Sequence, residues 1–282
     1  MKKKICFTFF ILIALDIFAQ SGWTREKGGF YGKTGIFTLK SNEYYTPEGK
    51  KTIANTFHQT TLIAYGEYGI TKNVTAILNY PYYKFQGYKN FSTVSGIGDP
   101  QMELKIAVYK KIPVVSVSIG AELPFANQNN ISIANSELAP GIRETNNLPT
   151  GDSDFNQWVT VAVSGSLGNT PSWLTIWGQY NNRTKGFRDQ HKIGFELGYK
   201  WTPRFWSNMR LNGVFTRDKS NSQSTFLNGD GAEYTTFLIS SAYEFVENWS
   251  ITLDFQTYSD FLAIRRNVYA APLYQLGIAA EF

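Results

Sequence analysis

The sequence has little charge, very little histidine or cysteine, and no long apolar run beyond its first residues. Asp, Glu, Lys and Arg make up 17% of the 282 residues, against about 25% in soluble domains. The folded surface is therefore short of groups that favour water. Two histidines, His58 and His191, give little support for a histidine-based metal site. The one cysteine, Cys6, lies near the N-terminus, so the rest of the chain has no disulfide, thiolate metal site or cysteine nucleophile. Past residue 19 no segment approaches the roughly 20 apolar residues of a membrane helix, which excludes a polytopic helical membrane protein. What is abundant is aromatic: 21 Phe, 17 Tyr and 7 Trp, a composition that argues against disorder. Mean hydropathy is nonetheless −0.26, as expected when apolar and polar residues alternate.

Residues 1–19 read as a secretory signal peptide, with Lys2, Lys3 and Lys4 before an apolar stretch and Ala19 as the small residue at the cut. Asp16 interrupts the stretch and leaves it too short to span a membrane. Removal of the segment lowers the net charge from +5 to about +3. That value, with no basic run, gives no support for a nucleic-acid partner.

From residue 20 onward the pattern has period two. Met102-Glu103-Leu104-Lys105-Ile106-Ala107-Val108 is the clearest case, and Ile193–Tyr199, Ile251–Phe255 and Tyr274–Phe282 repeat it. About twelve strands follow, joined alternately by short turns and long segments. The short turns fall near 71–73, 110–112, 168–171, 202–205 and 247–248. The long segments fall near 42–53, 87–98, 125–156, 185–188, 219–232 and 261–269. An even strand count with this alternation predicts an all-β, transmembrane, antiparallel up-and-down β-barrel over residues 20–282, with short periplasmic turns and longer external loops. Trp173, Trp201, Trp206, Trp249 and Tyr109 flank the short turns, where an aromatic girdle is expected. Tyr82, Tyr83, Phe85, Trp158, Tyr258 and Tyr269 occupy the opposite ends.

The last strand, with Tyr274, Leu276, Ile278 and terminal Phe282, resembles the signal by which bacterial outer-membrane proteins engage their assembly machinery. A second resemblance rests on three motifs in order: Gly96-Ile97-Gly98-Asp99 with Lys105, Leu148-Pro149-Thr150-Gly151-Asp152, and Asp189 followed by Gly194–Tyr199. They are similar to segments of the meta-pathway phenol-degradation family of outer-membrane transporter barrels. One departure is that about 25 residues separate Leu123-Pro124 from Pro149-Thr150, which the family brings closer together. The resemblance implies a barrel passing small, often hydrophobic, compounds.

Because one strand face must meet lipid, the charged face points inward. This assigns Glu67, Glu103, Lys105, Glu122, Lys192, Glu196, Lys200, Arg210 and Asp254 to a lumen, with Glu244 and Glu281. These residues either select solutes by charge along a conduit or form a cross-strand salt-bridge network filling a narrow barrel. The 125–156 segment carries Glu137, Arg143, Glu144, Asp152 and Asp154; it is expected to fold over or into the mouth, with a short helix at 131–139, or else to remain a solvated loop. Asp152 and Asp154 could hold a divalent cation weakly, although loop acidity is the commoner explanation. No Ser stands two residues after His58 or His191, the spacing of outer-membrane phospholipases, so no catalytic residue, metal or cofactor is assigned.

The function expected is passage of a small solute, hydrophobic in the family's manner, through the outer membrane. The partners would be outer-membrane lipid, the barrel-assembly machinery and the solute. The alternatives are a plugged structural or adhesive barrel whose external loops bind a partner, and an outer-membrane lipid hydrolase.

Overall fold

The computed structural model describes residues 20–184, 186–217 and 231–282. The expected signal peptide and most of the expected loop 219–232 lie outside these residues. Among the described residues sixteen strands run in chain order: β1 Phe30–Tyr45, β2 Lys51–Thr71, β3 Val74–Tyr88, β4 Val94–Gly96, β5 Gln101–Tyr109, β6 Val114–Glu122, β7 Ile131–Ala139, β8 Ile142–Asn147, β9 Asn156–Ser166, β10 Ser172–Asn182, β11 Gln190–Thr202, β12 Phe205–Thr216, β13 Tyr234–Val246, β14 Trp249–Ser259, β15 Val268–Tyr269 and β16 Leu273–Glu281. Twelve of them form the barrel, each paired antiparallel with its neighbours. The last, β16, pairs with β1, and β1 pairs in turn with β2, which closes the ring. Closure satisfies the strand N–H and C=O groups internally, as a bilayer requires. The remaining strands are accessories: β4 and β15 add to β3 and β1 at the long-loop end, and β7 and β8 form a separate hairpin.

Alternation sets which side chains face out. On β5, Met102, Leu104, Ile106 and Val108 are 42–59% exposed while Lys105 between them is fully buried. On β16, Tyr274, Leu276 and Ile278 are exposed and Ala279 is buried. A one-residue register slip would exchange these faces. Nine residues at about 3.3 Å each, tilted by about 40°, cover most of the roughly 25 Å apolar band of an outer-membrane barrel.

Three sequence expectations change. Residues 131–139 form strand β7, not a helix: Ile131, Ile133, Ala139 and Ile142 allow pairing with β8 across the Gly141 turn, whose φ is +76°. The predicted 42–53 loop shrinks to 46–50 because β1 and β2 extend beyond the apolar band. Part of the predicted girdle faces inward. Trp201, Trp249, Tyr109, Tyr83 and Phe85 are exposed on the outside, but Trp158, Trp173, Trp206, Tyr258 and Tyr269 turn into the barrel. Trp158 and Trp173 find a carboxylate acceptor there for the indole N–H, which hydrocarbon cannot supply.

Candidate functional site: the lumen and its mouth

The first two motifs, far apart in sequence, meet at the external end, and Asp189 of the third lies at the same end on the β10–β11 loop. Asp99, at the end of the first, accepts hydrogen bonds from the backbone N–H of Ala126 (2.7 Å) and Ser153 (3.0 Å). Thr150 of the second donates to the Ile97 carbonyl at 2.6 Å. Gly151 sits so close that a Cβ there would lie 2.0 Å from Asp99 Oδ2. Gln86 of β3 donates to the Leu148 and Pro149 carbonyls at 2.8 and 2.7 Å. These bonds pull the base of the 125–156 segment, residues 148–154, inward, with Leu148, Thr150 and Asp154 fully buried. Asp189 of the third motif accepts from the Arg183 N–H at 3.0 Å and from Tyr180. The phenol's hydrogen bond holds the Asp189 carboxyl below its ordinary range. The extra residues that separate the second motif from Pro124 form the β7–β8 hairpin, whose two ends meet where Leu148 N–H donates to the Asn130 carbonyl at 2.8 Å.

The predicted mouth residues therefore separate. Glu137, Arg143 and Glu144 stand exposed on the hairpin, the first two 3.6 Å apart as an ion pair. Asp152 is paired with Arg183 at 2.7 Å. Asp154 accepts from Thr184 and from the Phe155 N–H. Carboxylate oxygens of Asp99, Glu122 and Asp152 come within 4.8 Å of one another. Arg183 and the backbone and amide donors already engage them.

Inside the barrel most of the charged residues are bonded, three of the carboxylates to cations and the others to neutral donors. Glu196 is buried, accepts from Trp173 Nε1 at 2.7 Å and pairs with Arg210, its direct neighbour on β12. Asp254 pairs with Lys33 at 2.8 Å. Glu67 accepts from Tyr65 (2.6 Å) and Arg25 (2.8 Å). Glu103 accepts from Trp158 Nε1 at 2.9 Å. Glu122 accepts from Gln101 at 2.5 Å and Asn156 at 2.7 Å. Lys105 is fully buried with Nζ 3.5 Å from Ser21 Oγ. Lys192 faces the lumen near the external end of β11, and Lys200 is half-buried beside Trp206 at the short-turn end. Glu244 accepts from the Asn248 N–H in a turn.

The sequence reading missed several partners. Lys33 was legible, since it is in phase with buried Tyr31 on β1. Arg25 was not, because it precedes the first strand and carries no periodic signal.

Arg25 belongs to a segment, residues 20–29, that enters the short-turn end of the barrel. Its N–H donates to Thr75 at 2.8 Å, and its guanidinium bonds Glu67 of β2 and Glu281 of β16. The Gly22 N–H donates to Ser164 of β9 at 2.7 Å, and the Ser21 carbonyl accepts from Ser116 of β6 at 3.0 Å. A Cβ on Gly22 would meet the Val114 carbonyl oxygen at 2.5 Å. The segment thus touches strands on opposite sides of the lumen.

Above it lie two adjoining chambers, both lined by Glu122, Asp152 and Arg210 and both reaching the mouth; the one bordered by Leu148, Pro149 and Tyr269 is termed the outer and the one bordered by Gln20 the inner. The outer, of about 670 Å³, has an apolar wall of Phe37, Leu39, Phe57, Ile63, Leu238 and Leu273. The inner, of about 500 Å³, is walled by amides and two indoles, with Gln20 at its border.

No family model matches the chain, and no curated protein matches it. Solved structures do. An outer-membrane channel from Pseudomonas putida F1 superposes with a TM-score of 0.63 at 12% identity, covering 92% of this chain and 97% of that one. The NanC porin gives 0.54 at 10% identity, over 89% and 100%. The translocator domain of the autotransporter NalP from Neisseria meningitidis gives 0.53 at 8%, over 92% and 90%. The fold is that of an outer-membrane barrel. The resemblance read from the motifs is matched at the level of this fold, and the apolar outer belt places the chain in the outer membrane.

Proposed function

We propose that the chain is an outer-membrane channel for a small solute, closed at its short-turn end by residues 20–27 in the state described here. The observation that carries this reading is the pair of adjoining chambers within a closed barrel, open enough to hold a solute. The apolar wall of the outer chamber supports a solute with apolar surface. Glu103, Lys105, Glu122, Lys192, Glu196, Lys200, Arg210, Glu67 and Asp254 would set the local charge a solute meets, chiefly as a balanced network. Residues 148–154 would set access from outside, with the hairpin beyond them contributing little. The reading needs neither a cofactor nor a catalytic group. Tyr274, Leu276, Ile278 and Phe282 would be read by the assembly machinery before the barrel meets lipid.

The test is flux into proteoliposomes together with planar-bilayer current. Small-solute flux, with ion selectivity shifted in opposite directions by Glu122→Gln and Lys192→Met, supports a channel. Silence in the wild type, in both variants and in a chain lacking residues 20–27 would favour the plugged structural barrel.

A further inference from the structure

The inner chamber differs from what a carrier of purely apolar compounds needs. Nine of its lining residues carry a side-chain amide, among them Asn79, Gln101, Gln179, Asn181, Gln190 and Asn212. Its ionic side chains are balanced, Glu103, Glu122 and Asp152 against Arg183, Lys192 and Arg210. The chamber therefore has no excess of either sign to offer a charged solute.

Two indoles complete it. Trp177 lies over Gly194 of β11, where a Cβ would meet the ring at 2.2 Å. Trp158 lies over Gly120 of β6 in the same way, at 2.3 Å. Glycine lets each ring lie flat along the wall, one face on backbone, and both rings line the chamber. On Trp158 the indole N–H is already engaged by Glu103, so what that ring offers a ligand is its face.

An amide both donates and accepts, as does a hydroxyl. A flat ring face receives a ligand's C–H surface. Several of these amides bond within the wall, Asn79 to Gln101, Gln101 to Glu122, Asn181 to Gln190 and Asn212 to Thr236; an apolar solute would strip water from the donors and acceptors left over, which a site built for hydrogen bonding penalises strongly. We propose that the inner chamber binds a neutral polyhydroxylated solute of mono- or disaccharide size, its ring C–H face on Trp158 or Trp177 and its hydroxyls on the amides of β10 and β11. This rests on the channel reading and names the class of solute, while the binding itself can be measured without transport.

The experiment uses the folded full-length barrel in detergent, titrated with glucose, maltose and sucrose and, in parallel, with phenol, benzoate and choline. Binding is read by calorimetry and by tryptophan fluorescence. The expected result is saturable binding of at least one of the sugars, with none for phenol, benzoate or choline. Affinity should fall about tenfold in Gln179→Leu/Asn181→Leu, the cost of two lost hydrogen bonds. Trp177→Phe, which keeps an aromatic face, should lose less. Retained heat-modifiable gel mobility shows that each variant is folded. If it is lost in the double variant, Gln190→Leu serves in its place. Binding of phenol or of either ion without any sugar, or no saturable sugar binding, overturns the proposal. Sugar flux into proteoliposomes is scored separately. Binding without flux in either the full barrel or a chain lacking residues 20–27 contradicts the channel and leaves the sugar site, whereas flux of all solutes without sugar binding contradicts the sugar site and leaves the channel.

Discussion

The two ends of the barrel are narrowed by different chemistry. At the short-turn end a segment from outside the strand pattern is held by ions: Arg25 between Glu67 and Glu281, beside fully buried Lys105. At the external end residues 148–154 fold in mainly on backbone hydrogen bonds, two of them collected by the Asp99 carboxylate, with one ion pair, Asp152–Arg183, beside them. A buried ion holds strongly and fails abruptly when one partner is removed, whereas a set of backbone bonds weakens by steps. The inner closure should therefore behave as a latch and the outer one as a fixed rim.

Removing single contacts tests that contrast. Arg25→Ala removes the guanidinium that pairs with Glu67, 1% exposed, and with Glu281. The expected cost is about 3–5 kcal/mol, seen as a large rise in proteolysis of residues 20–27 in the folded barrel. An unchanged cleavage rate would mean that backbone contacts alone hold the segment. Gly151→Val forces a side chain toward Asp99 Oδ2 and should destabilise the rim by about 1–3 kcal/mol. Its readout is protease access to residues 148–154 on whole cells, with the barrel still heat-modifiable. Asp99→Asn keeps the shape but turns one of the two acceptor oxygens into an NH2 group, so one backbone N–H loses its acceptor and the other bond loses its charge, with an expected cost of about 1–3 kcal/mol read as cleavage at the same residues. Deleting residues 131–147 and joining Asn130 to Leu148, which already touch, should leave conductance unchanged. A clear change would make the hairpin part of the rim.

The outward face was legible because lipid imposes one rule on every strand: Leu104, Ile106, Leu276 and Ile278 announce it by spacing alone. The phase of that face also carried the charged residues inward, Glu196 and Arg210 on adjacent strands among them. The aromatics misled because a position near a turn does not say which face a ring takes. Trp173 and Trp206 pack against each other inside, at 6.4 Å, where Glu196 accepts the Trp173 N–H. The motifs around Asp99 and Gly151 could be seen but not joined, since their meeting depends on pairing across the barrel. Arg25 had no periodicity to reveal it. Its partners Glu67 and Glu281 lie on strands at opposite ends of the chain, adjacent to β1 on either side only once the ring closes. Phase alone carries amides such as Asn212 and Gln256 inward, but that they share one chamber with Gln179 and Asn181 of β10 depends on closure of the ring.

The most direct test of the latch is single-channel current in planar bilayers for the full barrel and for a chain lacking residues 20–27, both shown folded by heat-modifiable mobility. The account predicts low or intermittent current in the full barrel and a larger, steady conductance in the shortened chain. Equal conductance in the two would contradict it, because the segment would then obstruct nothing.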